Sequence, residues 1–164
     1  MKSLETAIAE HPFGKGLSPQ HLKVITECAM RSHFDADEPI FQEGEMANRF
    51  YLIQKGKVVL IASERGQPHR IQIIGPGDVL GWSWLFPPYY WHFDARAVEA
   101  TDAIFFYGTR LREECEQDQG LGYELMKRMA EIIIQRLQST RRQLVEATRG
   151  RPDYSAHSPT KSDF

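Results

Sequence analysis

The densest chemistry in the sequence lies between Gly81 and Phe93. Trp82, Trp84, Phe86, Tyr89, Tyr90, Trp91 and Phe93 crowd into this stretch, which includes all 3 tryptophans of the chain. Two chemistries suit such a run. Aromatic rings bury large areas and close a core well. They also form walls on which flat ligands stack, as bases stack on aromatic side chains. The other reactive residue types are sparse. The 6 histidines are His11, His21, His33, His69, His92 and His157. They contain no His-x-His pair and no pair at i, i+4 helical spacing, so each reads as a surface or hydrogen-bonding residue. His92, inside the aromatic run, is the one candidate axial ligand for a haem-type sensor. Cys28 and Cys115 fall in helical patterns without a flanking base, which makes neither a nucleophile. Two cysteines exclude a disulfide framework, a four-thiolate zinc site and an all-cysteine iron–sulfur cluster. With no Gly-x-Ser-x-Gly and no Walker A loop, the expectation is a protein that is not an enzyme and holds no metal.

The elements that position these residues are set by length and punctuation. The chain has 164 residues, suited to one domain with a real core. Lys plus Arg number 20 against 22 for Asp plus Glu, and a net charge of −2 speaks against a dedicated nucleic-acid binder. Apolar runs are too short to span a bilayer, and the N-terminus lacks the apolar core of a secretory signal. The expected setting is a reducing cytoplasm.

Residues 1–30 read as helices. Ser18-Pro19 makes an N-cap and first turn, and Leu22, Ile25 and Ala29 follow at helical spacing. A shorter helix is expected from Ser3 to Glu10. From residue 34 to 108 short apolar runs alternate with turn signals, the pattern of an all-β sandwich or roll. The runs are 39–41, 50–53, 58–61, 71–74, 96–98 and 103–106, separated by Gly44, Gly56, Gly66, Gly75 and Gly77. Helical period returns over 109–148, with Thr109 as N-cap of a short helix and a break at Gln119-Gly120. In the long helix that follows, Met126, Met129, Ile133, Leu137, Thr140 and Leu144 recur at spacings of three and four. The last four fit a coiled-coil seam, so a second copy of the chain is the expected partner; the competing reading is that this face covers the roll. Residues 149–164 are rich in Pro, Ser and charge and are expected to be disordered.

Several motifs at consistent spacing carry a resemblance. Ile40-Phe41-Gln42-Glu43-Gly44-Glu45, Arg49-Phe50-Tyr51-Leu52-Ile53 with Gly56, and Ile74-Gly75-Pro76-Gly77-Asp78-Val79-Leu80-Gly81 resemble the cyclic-nucleotide-binding domain of the Crp/Fnr family. Arg136-Leu137-Gln138-Ser139-Thr140 resembles that family's dimer helix. The resemblance covers roughly 10–148. It implies a mainly β fold with flanking helices, a β-roll of about eight antiparallel strands (a double-stranded jelly roll) and a long C-terminal helix. It also implies cyclic AMP or cyclic GMP as regulatory ligand, bound in a phosphate-binding cassette. There a glutamate holds the ribose and an arginine pairs with the phosphate by charge-assisted hydrogen bonds.

Here the cassette departs from the pattern. Gly81 and Leu85 fit, but Trp82 stands at the ribose glutamate. Phe93, followed by Asp94 and Ala95, stands at the phosphate arginine. If a nucleotide binds, contacts are expected from Gly81, Trp82, Ser83, Trp84 and Leu85 at one end and Phe93, Asp94, Ala95 and Arg96 at the other. Thr140 and Arg141 sit where the dimer helix approaches the base. Alternation along a strand puts Arg96 on the face opposite Phe93. The residues after Thr148 cannot build a helix-turn-helix. The expected function is therefore a stand-alone cyclic-nucleotide-binding-like sensor that signals through a partner protein, not DNA. The alternative is an interaction module whose pocket is plugged by Trp82 and Phe93.

Overall fold

The structure, a computed structural model, describes residues 1–149. The tail expected from the sequence lies outside the described residues from Gly150 on. Two short helices open the chain, α1 (Leu4–Glu10) and α2 (Pro19–Glu27). Each starts on a serine whose side-chain oxygen accepts a backbone N–H, Ser3 from Thr6 and Ser18 from His21, which satisfies donors a helix start otherwise leaves bare.

Eight strands follow: β1 (Ala29–Phe34), β2 (Pro39–Phe41), β3 (Arg49–Lys55), β4 (Val58–Glu64), β5 (Gln67–Ile74), β6 (Val79–Leu80), β7 (Asp94–Ala97) and β8 (Thr101–Tyr107). They pair antiparallel in two four-stranded sheets, ordered β1-β8-β3-β6 and β2-β7-β4-β5. The roll therefore begins at Ala29, not at residue 34, and Ala29 leaves the helix to which its spacing assigned it. Six register pairs with β8, from Ala29↔Phe106 to Phe34↔Thr101, outweigh the local helical period.

Alternation along β3 divides the core in two. Phe50 and Leu52 join Ile104 and Phe106 against Ile8, Ile25, Leu111, Leu121, Leu125 and Met129 from the helices. Tyr51 and Ile53 face the other way, into the roll, beside Phe41, Val58, Leu60, Leu80, Trp91 and Phe93.

α3 (Gly108–Gln117) follows β8 directly, with Tyr107 at the N-cap and no side-chain cap bond. Thr109 is thus inside the helix. The chain turns into the helix two residues early, where the Gly108 N–H donates to the Asn48 carbonyl at 2.8 Å and a β-carbon at Gly108 would meet that oxygen and Trp84 Cβ at 2.9 Å. The break before α4 (Gln119–Thr148) falls at Asp118, whose carboxylate accepts the Leu121 N–H at 3.1 Å. The chain divides into two compact units, Met1–Ile133 and Ile134 onward. Met129, expected on a dimer face, is fully buried in the helix-side core, which removes it from any partner contact. Met126, Leu137 and Leu144 are exposed at 45%, 67% and 63%.

Candidate functional site

The site starts where β6 ends. Tyr51↔Leu80 is the last register pair between β3 and β6, and Gly81 then turns away with φ +99°. Only glycine suits this turn. A β-carbon there would also lie 2.8 Å from two ring carbons of Trp91. The Trp91 ring thus occupies the space beside the first residue of the cassette.

The ring system inside the roll is continuous. Trp91 stacks on Phe41 with centroids 3.8 Å apart and planes 9° apart. Phe41 touches Phe93 at 5.7 Å, and Phe93 touches Trp82 at 5.4 Å. Phe93 is 4% exposed and Trp91 1%, while Trp82 is half-buried and reaches both cores. Trp91 Nε1 is buried with no hydrogen-bond partner among the described residues. Trp84, a site candidate from sequence, faces away. It stacks on Phe50 at 4.8 Å in the helix-side core, and Leu85 packs there too. Ser83 is buried, at 3% exposure.

Sequence reasoning missed Trp91 as an inward ring, and it missed Arg49. The Arg49 guanidinium lies 6.0 Å from both the Tyr51 and Trp91 ring centroids. It donates to the Tyr51 hydroxyl at 2.8 Å, to Asn48 Oδ1 at 3.0 Å and to the Ile40 carbonyl at 3.1 Å. The signal was the Arg49-x-Tyr51 alternation, which puts both side chains on the roll-facing side of β3. The cassette loop is tied to α3 by Arg112, which donates to the Trp84 carbonyl and stacks 4.0 Å over the Tyr89 ring.

β7 sorts the remaining candidates by alternation. Ala95 and Ala97 point inward and are buried. Asp94 accepts the Glu43 N–H at 2.8 Å and so fixes the loop after β2. Arg96 is exposed, in register with Pro39 and Val59, on the outer face of its sheet and apart from Trp82 and Phe93. Thr140 and Arg141, both exposed, belong to the second unit.

Titratable groups near the cores are held in their uncharged forms. Burial lowers the His11 pKa; its Nε2–H donates to the Ile53 carbonyl at 3.2 Å, and Nδ1 accepts the Phe13 N–H at 3.1 Å. Burial pushes the Cys28 thiol up, and Cys115 rises to about 11, chiefly through burial. Exposed His92 lies outside the ring stack. Among the described residues no group of three His, Cys, Asp or Glu is placed to hold a metal, and no helix is long and apolar enough to cross a membrane.

A family model described as the cyclic nucleotide-binding domain matches residues 31–118, more than half of the chain. This protein belongs to the cyclic nucleotide-binding domain family. The cyclic AMP receptor protein of Thermus thermophilus is 28% identical over 97 residues, which cover 58% of this chain and 45% of that protein. The chain thus spans less than half the length of that curated relative. Among solved structures, a cyclic nucleotide-binding protein by name from Geobacter metallireducens is 31% identical with a TM-score of 0.75, covering 84% of this chain and 99% of that one. A cyclic nucleotide-binding domain from Methylobacillus flagellatus gives a TM-score of 0.77 at 17% identity, covering 89% and 85%, and shares the fold alone.

Proposed function

We propose that this chain is a regulatory domain whose roll interior is closed by its own aromatic rings, with its output passing through contact with a partner protein. The observation that carries the reading is Phe93. By the resemblance Phe93 takes the position of the family's phosphate arginine, and its phenyl ring is buried, wedged between Phe41 and Trp82. Trp91 adds a second ring against the Gly81 backbone, where a nucleotide would need room. A ligand phosphate brought there would lose its water and gain no cation from residue 93, and burying an unpaired charge is costly. The same reading takes the protein as a non-catalytic homodimer of the reducing cytoplasm, paired through Met126, Ile133, Leu137, Thr140 and Leu144 of α4.

One observation favours a second reading. The buried Trp91 Nε1–H has no partner among the described residues, and an unpaired buried donor costs roughly 1–3 kcal/mol. A flat ligand carrying an acceptor, cyclic AMP or cyclic GMP included, would satisfy it by entering among the rings. Calorimetry on a variant carrying Trp82→Glu, Phe93→Arg and Trp91→Ser separates the two. The ring-closed reading expects silence from the natural protein and cyclic-nucleotide binding in the variant. Binding by the natural protein supports the second reading. No gain in a folded variant would refute the placement of Phe93 at the phosphate position.

A further inference from the structure

The outer face of the β2-β7-β4-β5 sheet carries an open groove of about 460 Å³, lined by Asp37, Val59, Ile61, Pro68, Arg70, Arg96, Ala97 and Val98. Register fixes its pattern. Arg96 pairs with Val59, and Val59 with Ile73; Ile61 pairs with Arg70 on its other side. Val59 points outward yet is only 5% exposed, so it forms the floor. Val98 and Ile73 stand at the margins, 41% and 47% exposed. Among the described residues neither Arg70 nor Arg96 has a carboxylate within ion-pairing distance, and both are exposed. The groove thus sets two unpaired guanidiniums against one carboxylate, Asp37, over an apolar floor.

We propose that this groove docks an extended acidic segment of a partner protein, with two carboxylates about four residues apart, so that both face the sheet. The spacing follows from the sheet. Arg96 and Arg70 lie on strands separated by β4, about 10 Å across, and are offset by two residues, about 7 Å along, so their Cα atoms are about 12 Å apart. An extended chain covers that distance in three to four residues. Arg is the side chain that takes a carboxylate bidentately. The floor of Val59, Ile61 and Val98 accepts apolar side chains between the acids. A nucleic acid fits less well, because the groove offers no ring for stacking and Asp37 would face the phosphates. The proposal rests on the partner-directed output proposed above and not on the state of the roll interior.

The test is fluorescence anisotropy with the full chain and a labelled ten-residue valine-rich peptide carrying two glutamates four residues apart. The control peptide has lysines in their place. The glutamate peptide is expected to bind at low salt and to weaken between ~50 and ~300 mM salt as screening rises. Arg70→Glu with Arg96→Glu should weaken it by about tenfold or more and confer binding of the lysine peptide. Arg70→Gln with Arg96→Gln, which adds no like charge, should give an intermediate loss and stands in if the reversed variant does not fold. Equal binding of both peptides, or a glutamate peptide indifferent to both variants, overturns the proposal. So does self-association that Arg96→Glu abolishes, since the groove would then seat a second copy. Nucleotide heat from the natural protein, by contrast, would strike the ring-closed reading and leave the peptide result standing.

Discussion

Gly81 shows how a single position carries both fold and site. Its backbone is left-handed, and the Trp91 ring occupies the space a side chain would need. Gly81→Ala is expected to cost roughly 2–4 kcal/mol in urea unfolding, from backbone strain plus overpacking. A cost near zero would mean the ring is not seated there. His11 carries a pH dependence of definite sign. Its folded pKa is lowered by burial, so the unfolded chain binds more protons in that range. Stability is therefore full above the ordinary histidine pKa, about 6.5, and falls as pH drops below it. His33 runs the other way. Hydrogen bonding to Asp102 raises its pKa, so its contribution is present at low pH and lost as pH rises through the raised value. In a His33→Ala background, urea midpoints should fall on acidification from pH 7 to 5, and His11→Asn should flatten that slope. Cys115, raised to about 11, and buried Cys28 should react with a disulfide reagent far more slowly in the native protein than in urea.

α4 is buried in the helix-side core at Met129 and exposed at Leu137 and Leu144, where the proposed pairing gives it a second role. Met129→Ala should cost roughly 2–5 kcal/mol of stability, because it empties a packed site. Leu137→Glu with Leu144→Glu should leave stability nearly unchanged and convert a dimer to a monomer in sedimentation. A monomeric natural protein would contradict the pairing proposed for this helix. From sequence, period alone could not divide the two roles, since it identifies a helix face and not what covers it. Strands show the same limit. β2, β3, β4, β5 and β8 were legible because apolar runs end at turn residues such as Gly44, Gly56 and Gly66. β1 was not, because Ala29–Phe34 has no apolar run and gains its form from pairing with β8, some 70 residues away. In the site, the resemblance assigns Trp82 to the ribose-glutamate position and Phe93 to the phosphate-arginine position; in the structure their rings lie 5.4 Å apart. Which of the other tryptophans turns inward depends on the path of the loop, so Trp91 went unseen and Trp84 was placed on the wrong side.

At the scale of the whole molecule, one sheet carries the helix-side core on one face and the roll interior on the other. The cassette bridges the two. Trp82 touches both cores, Trp84 locks into one, Phe93 into the other, and Arg112 pins the loop to α3. Filling the interior with Phe41, Trp91 and Phe93 stabilises the roll by burying rings, and on the proposed reading it takes the room a nucleotide would use. A regulatory roll built this way should respond to its protein partner and not to the second messengers of its family. The decisive measurement is a thermal-shift titration of the full chain with cyclic AMP, cyclic GMP and cyclic dinucleotides at ~1 mM. A ligand present at about 100 times its Kd would add about 2.7 kcal/mol and raise Tm by several degrees in a domain of this size. The ring-closed roll predicts no shift with any of them. A shift of several degrees with one nucleotide would contradict it, and would show that the rings part to admit a ligand.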